Sequence, residues 1–269
     1  MDKPPRCRRP RSLTLRLLLA ALALAAGPAP AQPEPARIWR VCITDLAVPP
    51  YLNNDPQRLG VAERILLDAG REAGLGVMFL RYPVRRCAAM LDGEGVDAML
   101  ASPVARNQAK AMQFPQSRGG AVDAARRLAR VNLVWVRRAD ATLNWDGTAL
   151  TGVSPGKPPL VGTRAVMNSV IEPLRTRGFE VDDTAISTRQ LLMKVAARRV
   201  DLAVGMQEEV EFALSEVGVK SLVVLPRAFS SSDYYAAVRP HLAPELQDKV
   251  EAWWTAIGRL RESPEYRVR

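Results

Sequence analysis

The chain has 269 residues, with 38 Lys or Arg against 28 Asp or Glu, and a formal charge of +10. His241 is its one histidine, which rules out His-based triads and multi-His metal sites. Six of the basic residues (Lys3, Arg6, Arg8, Arg9, Arg11, Arg16) fall in the first 31 positions with one acid, Asp2; the remaining 32 bases and 27 acids leave only +5. No Lys/Arg face with interleaved aromatics is left, so nucleic acid is excluded as the expected partner.

In chain order, the basic head is followed by an apolar run over 17–26 and by Ala29-Pro30-Ala31. A basic head, a short apolar middle and an A-x-A end predict a cleaved secretory signal peptide over 1–31. The apolar run is too short for a membrane span, which needs about 20 residues. The expected compartment is therefore the periplasm. Two cysteines follow, Cys42 and Cys87. Outside the cytoplasm two thiols pair where geometry allows; otherwise they remain buried thiols. A disulfide would close a loop of about 46 residues, worth about 4 kcal/mol in the chain-entropy account.

From residue 40 a pattern repeats: short apolar run, loop, amphipathic helix, short apolar run. Strands are predicted at 40–44, 77–82 and 96–101, with helices at 61–73 and 85–91. The stretch 115–130 is irregular, and 131–136 (VNLVWV) is strongly β-prone. A second series gives strands at 159–162, 180–182, 201–204 and 221–225. Its helices are 168–177, 188–197 with Ser187 as N-cap, and 208–216. A strand at 234–238 and an amphipathic helix at 244–260 close the chain. Strands alternating with helices imply α/β architecture with parallel sheets and right-handed crossovers. Two such series, joined by apolar strands near 131 and 234, predict two lobes linked by two crossing segments, a hinge that permits closure.

A run of motifs then carries a resemblance. Val48-Pro49-Pro50-Tyr51 ends the first strand, and Leu59-Gly60-Val61 opens a helix. Gly93-Glu94-Gly95-Val96-Asp97 follows the second helix; Ser102, Arg106 and Phe114-Pro115 come next. The second lobe offers Leu160-Val161-Gly162, Asn168-Ser169, Arg198-Arg199-Val200-Asp201 and Tyr234-Tyr235-Ala236, and the tail runs from Trp253 to Tyr266. In this order the motifs resemble the type 2 periplasmic solute-binding proteins of the amino-acid-transporter class, extracellular solute-binding protein family 3. The resemblance covers roughly 37–269. It implies a two-lobed periplasmic-binding-protein-like II fold, with lobe one at 37–133 plus 234–269 and lobe two at 134–233. It also implies a cleft between the lobes, no catalysis, and a transporter or sensor partner; a monomer without cofactor, delivering a small molecule to an inner-membrane ABC permease, is the expectation.

Carried onto this sequence, the resemblance makes Arg106 the fork for a ligand carboxylate, with Lys110 as the alternative cation. Ser102 would lie at a strand end, where parallel α/β sheets place ligands. Tyr51 would form an aromatic wall. Asn168 and Ser169 mark a helix start suited to an anion, with Arg164 close by. Amino-acid binders carry an aspartate about five residues after the position of Asp201, to pair the ligand ammonium. Here that count reaches Met206, with Gln207, Glu208 and Glu209 just beyond. A small polar or anionic ligand without an ammonium is the expectation. Asp97 and Asp201 occupy matching strand starts, which suggests structure before acid–base chemistry.

Two other classes compete. One is a periplasmic enzyme on the same scaffold, dehydratase-like, with Glu208 or Glu209 as general acid. The other is a sensory or accessory binding protein without a permease. No G-x-S-x-G occurs, and 152–157 (GVSPGK) has the wrong spacing for a phosphate loop, with Pro158 in place of Ser or Thr.

Overall fold

The computed structural model describes residues 37–53, 55–104, 112–154, 156–165, 167–218 and 221–267. The leader read at 1–31, and Arg106 and Lys110, lie outside the described residues.

Two copies of one βαβαβ unit lie at opposite ends of a single sheet. The first is β1 (Arg37–Ile43), α1 (Val61–Glu72), β2 (Leu75–Arg81), α2 (Val84–Asp92) and β3 (Ala98–Ala101). The second is β7 (Leu160–Arg164), α3 (Asn168–Thr176), β8 (Glu180–Ala185), α4 (Thr188–Ala196) and β9 (Leu202–Met206). In each unit the first strand is the middle one, parallel to both neighbours: β2-β1-β3 and β8-β7-β9. The same aspartate device closes both. Asp97 accepts from the Arg40 backbone N–H at 2.9 Å, and Asp201 accepts from that of Leu160 at 3.0 Å. Each carboxylate thereby holds the start of its own β-strand against the central one, as the matching positions in the sequence suggested.

Between the units run β4 (Ala129–Arg138) and β11 (Ser230–Val238). The first part of β11, Ser230 to Tyr234, pairs antiparallel with β4; the rest, Tyr235 to Val238, pairs antiparallel with β3. From Leu133 to Arg137, β4 pairs antiparallel with β9. β10 (Leu222–Val224) lies on the other side of β4, and α5 (Gln207–Val217) follows β9 directly. Both crossing strands are longer than their apolar cores at 131–136 and 234–238 indicated, because polar residues such as Ser230, Ser231 and Ser232 continue the ladder on exposed ground. A small hairpin of β5 (Asn144–Trp145) and β6 (Leu150–Thr151) has no counterpart in the sequence reading. Its strands are two residues long, too short for any alternation to register.

Each half keeps its own core. On one side Trp39, Ile65, Leu66, Val250 and Ile257 pack together under α6 (Pro244–Glu262). Both tryptophans of α6 are buried. Trp253 meets Trp39 edge-on at 6.0 Å between ring centroids and donates its indole N–H to the Leu66 carbonyl at 3.1 Å. Trp254 donates to the Ala236 carbonyl at 2.7 Å, fastening the closing helix to β11. On the other side Trp135 of β4 packs against Trp145 and Phe229, with centroids 5.4 and 5.3 Å apart. The fold is the expected mixed α/β one, with parallel ends and an antiparallel crossing.

Cys42 of β1 and Cys87 of α2 form a disulfide, buried with Leu91, Val96 and Met99. It closes a loop across 45 positions, so the double variant Cys42→Ser/Cys87→Ser should lose about 3–4 kcal/mol of stability. Urea unfolding of the oxidised wild type beside the variant measures this; equal midpoints would contradict it.

Candidate functional site

The carboxyl ends of β1, β3, β7 and β9 converge on one crevice, the place where parallel α/β sheets bind ligands. On the first side, α1 positions Tyr51. This helix has no side-chain cap, so its leading N–H groups take backbone partners from the preceding loop. Val61 donates to the Pro50 carbonyl at 3.0 Å and Ala62 to the Tyr51 carbonyl at 3.1 Å. Glu63, fully buried, accepts from the backbone of Gly60 at 2.7 Å and of Asn53 at 2.9 Å, and pairs with Arg81. Residue 60 must be glycine, because a Cβ there would fall 2.1 Å from the Tyr51 carbonyl oxygen. The loop is thus pinned to the helix, and the Tyr51 ring is set at the crevice.

Tyr51 also reaches across it. Its hydroxyl donates to Glu208 Oε1 at 2.9 Å, a side-chain bond between the two halves. Burial first, and the Glu208 carboxylate second, push the phenol well above the ordinary tyrosine range. It therefore remains a donor throughout neutral and mildly alkaline pH.

On the second side, α5 starts immediately after β9, with Glu208 and Glu209 in its first turn, where the helix dipole favours carboxylates. Glu209 is only 3% exposed. Both of its oxygens accept from Arg164 Nη1, at 3.0 and 3.1 Å, and Oε2 also accepts from Thr188 at 2.8 Å. One carboxylate thus ties together the end of β7, the start of α4 and the start of α5. Desolvation pushes the Glu209 carboxyl up, opposed by Arg164 and Thr188.

Between these walls lies a cavity of about 220 Å³. The first half contributes Thr44, Leu46, Tyr51, Val84 and Leu100. The second contributes Arg164, Met167 and Met206, and the crossing strands supply Val131 and Tyr234. The lining is mainly apolar, with one guanidinium and a few hydroxyls, the usual make-up of a small-molecule pocket. Met167 is the N-cap of α3 and makes no side-chain cap bond, so this helix start also stands at the cavity wall.

Of the residues singled out from sequence, Tyr51, Arg164 and Met206 line the cavity. Ser102 is buried just past β3 with no partner for its hydroxyl among the described residues, and it does not line the cavity. Gln207 is turned to the crossing strand: its carbonyl oxygen accepts from Asn132 at 3.1 Å and its amide donates to Glu211 at 2.8 Å. Asn168 and Ser169 open α3 beside Met167. The contacts of Glu208 and Glu209 were not anticipated. Their signal was the pair of acids at a helix start, which marks the position but not the partners.

The fold is shared with known ligand-binding domains. The ligand-binding core of GluR0 from Nostoc punctiforme, in complex with L-glutamate, superposes at a TM-score of 0.59 with 15% identity, over 85% of this chain and 95% of that one. A histidine kinase sensor domain described as similar to periplasmic binding proteins gives 0.60, at 18% identity, over 86% and 93%. An ancestral arginine-binding protein bound to arginine gives 0.56, at 15% identity, over 85% and 94%. The chain has a two-lobed, periplasmic-binding-protein-like fold. No protein-family model matches it, and no curated protein does. Among the described residues no helix is long and apolar enough to cross a membrane.

Two outcomes follow from the geometry. Arg164→Met leaves the Glu209 carboxylate buried without its cation and should cost about 3–5 kcal/mol, whereas Arg164→Met/Glu209→Met should recover most of that loss. Urea denaturation of both at pH 7 decides it, and equal losses would refute the coupling. Tyr51→Phe removes the bond between the halves, worth about 1 kcal/mol. Small-angle scattering of the ligand-free variant should show a larger radius of gyration than wild type; an unchanged radius would mean that this bond does not hold the crevice closed.

Proposed function

We propose that the protein is a periplasmic solute-binding protein that captures a small polar or anionic molecule between two lobes and hands it to an inner-membrane ABC permease. In this reading 1–31 is the cleaved export signal, lobe one is 37–133 plus 234–269, and lobe two is 134–233. The observation that carries it is the cavity itself, walled by side chains from both halves and bridged by Tyr51 and Glu208. Arg164 and the start of α3 favour a negatively charged or hydrogen-bond-accepting group, and the apolar lining favours a compact carbon body. Arg106, with Lys110 as the alternative, keeps the role the resemblance implies for it, the fork for a ligand carboxylate, and Arg164 is the further cation.

The disulfide accords with an oxidising compartment. Binding without catalysis is supported by the two acids nearest the crevice: Glu208 accepts from Tyr51, Glu209 from Arg164 and Thr188, and neither lines the cavity. A sensor without a permease is the second reading, favoured by the likeness to a histidine kinase sensor domain.

A thermal-shift screen of the mature chain against amino acids, organic acids and small oxyanions tests the proposal. A ligand at a hundredfold its dissociation constant adds about 2.7 kcal/mol, a rise of roughly 5–10 °C for a chain of this size. Val84→Trp, which fills the cavity, should abolish the rise while leaving the circular dichroism unchanged. No stabilising compound, or a bound compound recovered chemically altered, would defeat the reading.

A further inference from the structure

A second cavity, of about 320 Å³, lies on the other side of the wall formed by Tyr51, Ala62, Leu128 and Ala129, which line both spaces. Its rim differs from that of the crevice. Arg130 comes from the start of β4, Arg261 from the end of α6 and Arg267 from the tail beyond it, with Glu262 among them. Arg127 stands next to this group; its backbone carbonyl accepts from Arg261 Nη1.

The existing pairs leave a positive surplus. Arg130 grips Asp233 through Nε at 2.8 Å and Nη2 at 3.1 Å, and Arg127 Nε lies 3.6 Å from the same carboxylate. Arg261 pairs with its chain neighbour Glu262, at 3.0 Å from Nε. Arg267 lines the same rim, and its charge is felt by Glu262. The cavity lining therefore carries three guanidinium groups (Arg130, Arg261 and Arg267) and one carboxylate, Glu262, a surplus of two; Arg127 and Asp233 lie just outside it, and Asp68 accepts from the lining Tyr266 hydroxyl. Asp233 and Glu262 both register this field. Asp233 is held below the ordinary carboxylate range by Arg130 first, with Arg127 and Arg261 adding to it. Glu262 is held low by Arg261 first, with Arg127 and Arg267 adding to it. The carboxyl end of α6 opposes this with about half an elementary charge, which is smaller than the surplus of two.

We propose that this hinge-side cavity is a second binding site, separate from the crevice, for a small multi-oxygen anion, a phosphate or a carboxylate. Planar guanidinium forks match such anions in pairs, and a tethered acid such as Glu262 can be displaced from Arg261 by an anion that engages several forks together. The apolar floor of Val61 and Ile65 limits the depth of the site and keeps the anion at the rim.

The test uses the whole mature chain with inorganic phosphate, with succinate, and with sodium chloride at matched ionic strength. Phosphate or succinate at 10 mM should raise the melting temperature by roughly 2–4 °C over chloride. Which of the two does so identifies the source of the anion, and either one supports the site. Arg267→Glu reverses an exposed charge of the rim, and calorimetric titration should show affinity at least about tenfold weaker. Val84→Trp, which fills the other cavity, should leave the anion affinity unchanged. Three results would each overturn the proposal: a shift no larger than that with chloride, wild-type affinity in Arg267→Glu, or loss of anion binding in Val84→Trp.

Discussion

One strand belongs to two ladders. The hydrogen bonds of β11 go to β4 as far as Tyr234 and to β3 from Tyr235 onward, and β4 in turn changes partner from β11 to β9. Among the described residues the two halves therefore share backbone hydrogen bonds only through this crossing pair, and the Tyr51–Glu208 bond between them is made by side chains. A ladder bond buried in a sheet is costly to leave unmade, whereas a half-exposed side-chain bond contributes about 1 kcal/mol. Any change of angle between the halves must then be absorbed by small torsions where β4 and β11 cross, while Tyr51 and Glu208 part or meet. The separate cores on either side, around Trp39 and around Trp135, have no residue in common.

The crevice follows from that topology. Each βαβαβ unit directs the carboxyl ends of its inner strands toward the crossing, so Thr44 just past β1, Leu100 near the end of β3, and Arg164 and Met206 at the ends of β7 and β9 form the walls. Placing a cation there is a problem of desolvation, since an isolated guanidinium in an apolar pocket would lose its hydration without return. Arg164 meets this through Glu209, and the pair is anchored a second time by Thr188. The pair is itself close to neutral overall while still offering directed donors. That combination suits a ligand whose apolar body fills the cavity and whose one acceptor group reaches the guanidinium.

Much of this was legible from sequence. The alternation of strands and helices showed because buried parallel strands read as unbroken apolar runs and their helices repeat at 3.6 residues. The crossing strands showed as the apolar cores VNLVWV and YYAAV. What stayed hidden has physical reasons. The outer parts of the crossing strands are polar because they lie at the surface, so Ser230 to Asp233 carry no strand signal. Tyr51, Arg164 and Met206 could be placed because each follows a strand or opens a loop at a strand end. Glu208 could not be linked to Tyr51, since the two are 157 positions apart and no local spacing encodes such a partner. Counting five residues from Asp201 led to Met206, a cavity wall, while the acids two and three positions farther along turn with the helix toward other elements.

Glu63 and Glu209 give the two sides of the crevice their difference. Both sit at the third position of a helix whose N-cap makes no side-chain bond, and both pair with an arginine. Glu63 directs Oε2 to two backbone N–H groups of the loop that carries Tyr51, so it orders main chain, while Oε1 pairs with Arg81. Glu209 directs its oxygens to Arg164 and Thr188, so it orders side chains. The first arrangement yields a rigid wall with one phenol projecting from it. The second yields a charged group whose position depends on three elements at once: a shift of β7, α4 or α5 moves the guanidinium. A ligand held by Arg164 is therefore coupled to the packing of the whole second half, whereas contact with Tyr51 reports only whether the two halves have met.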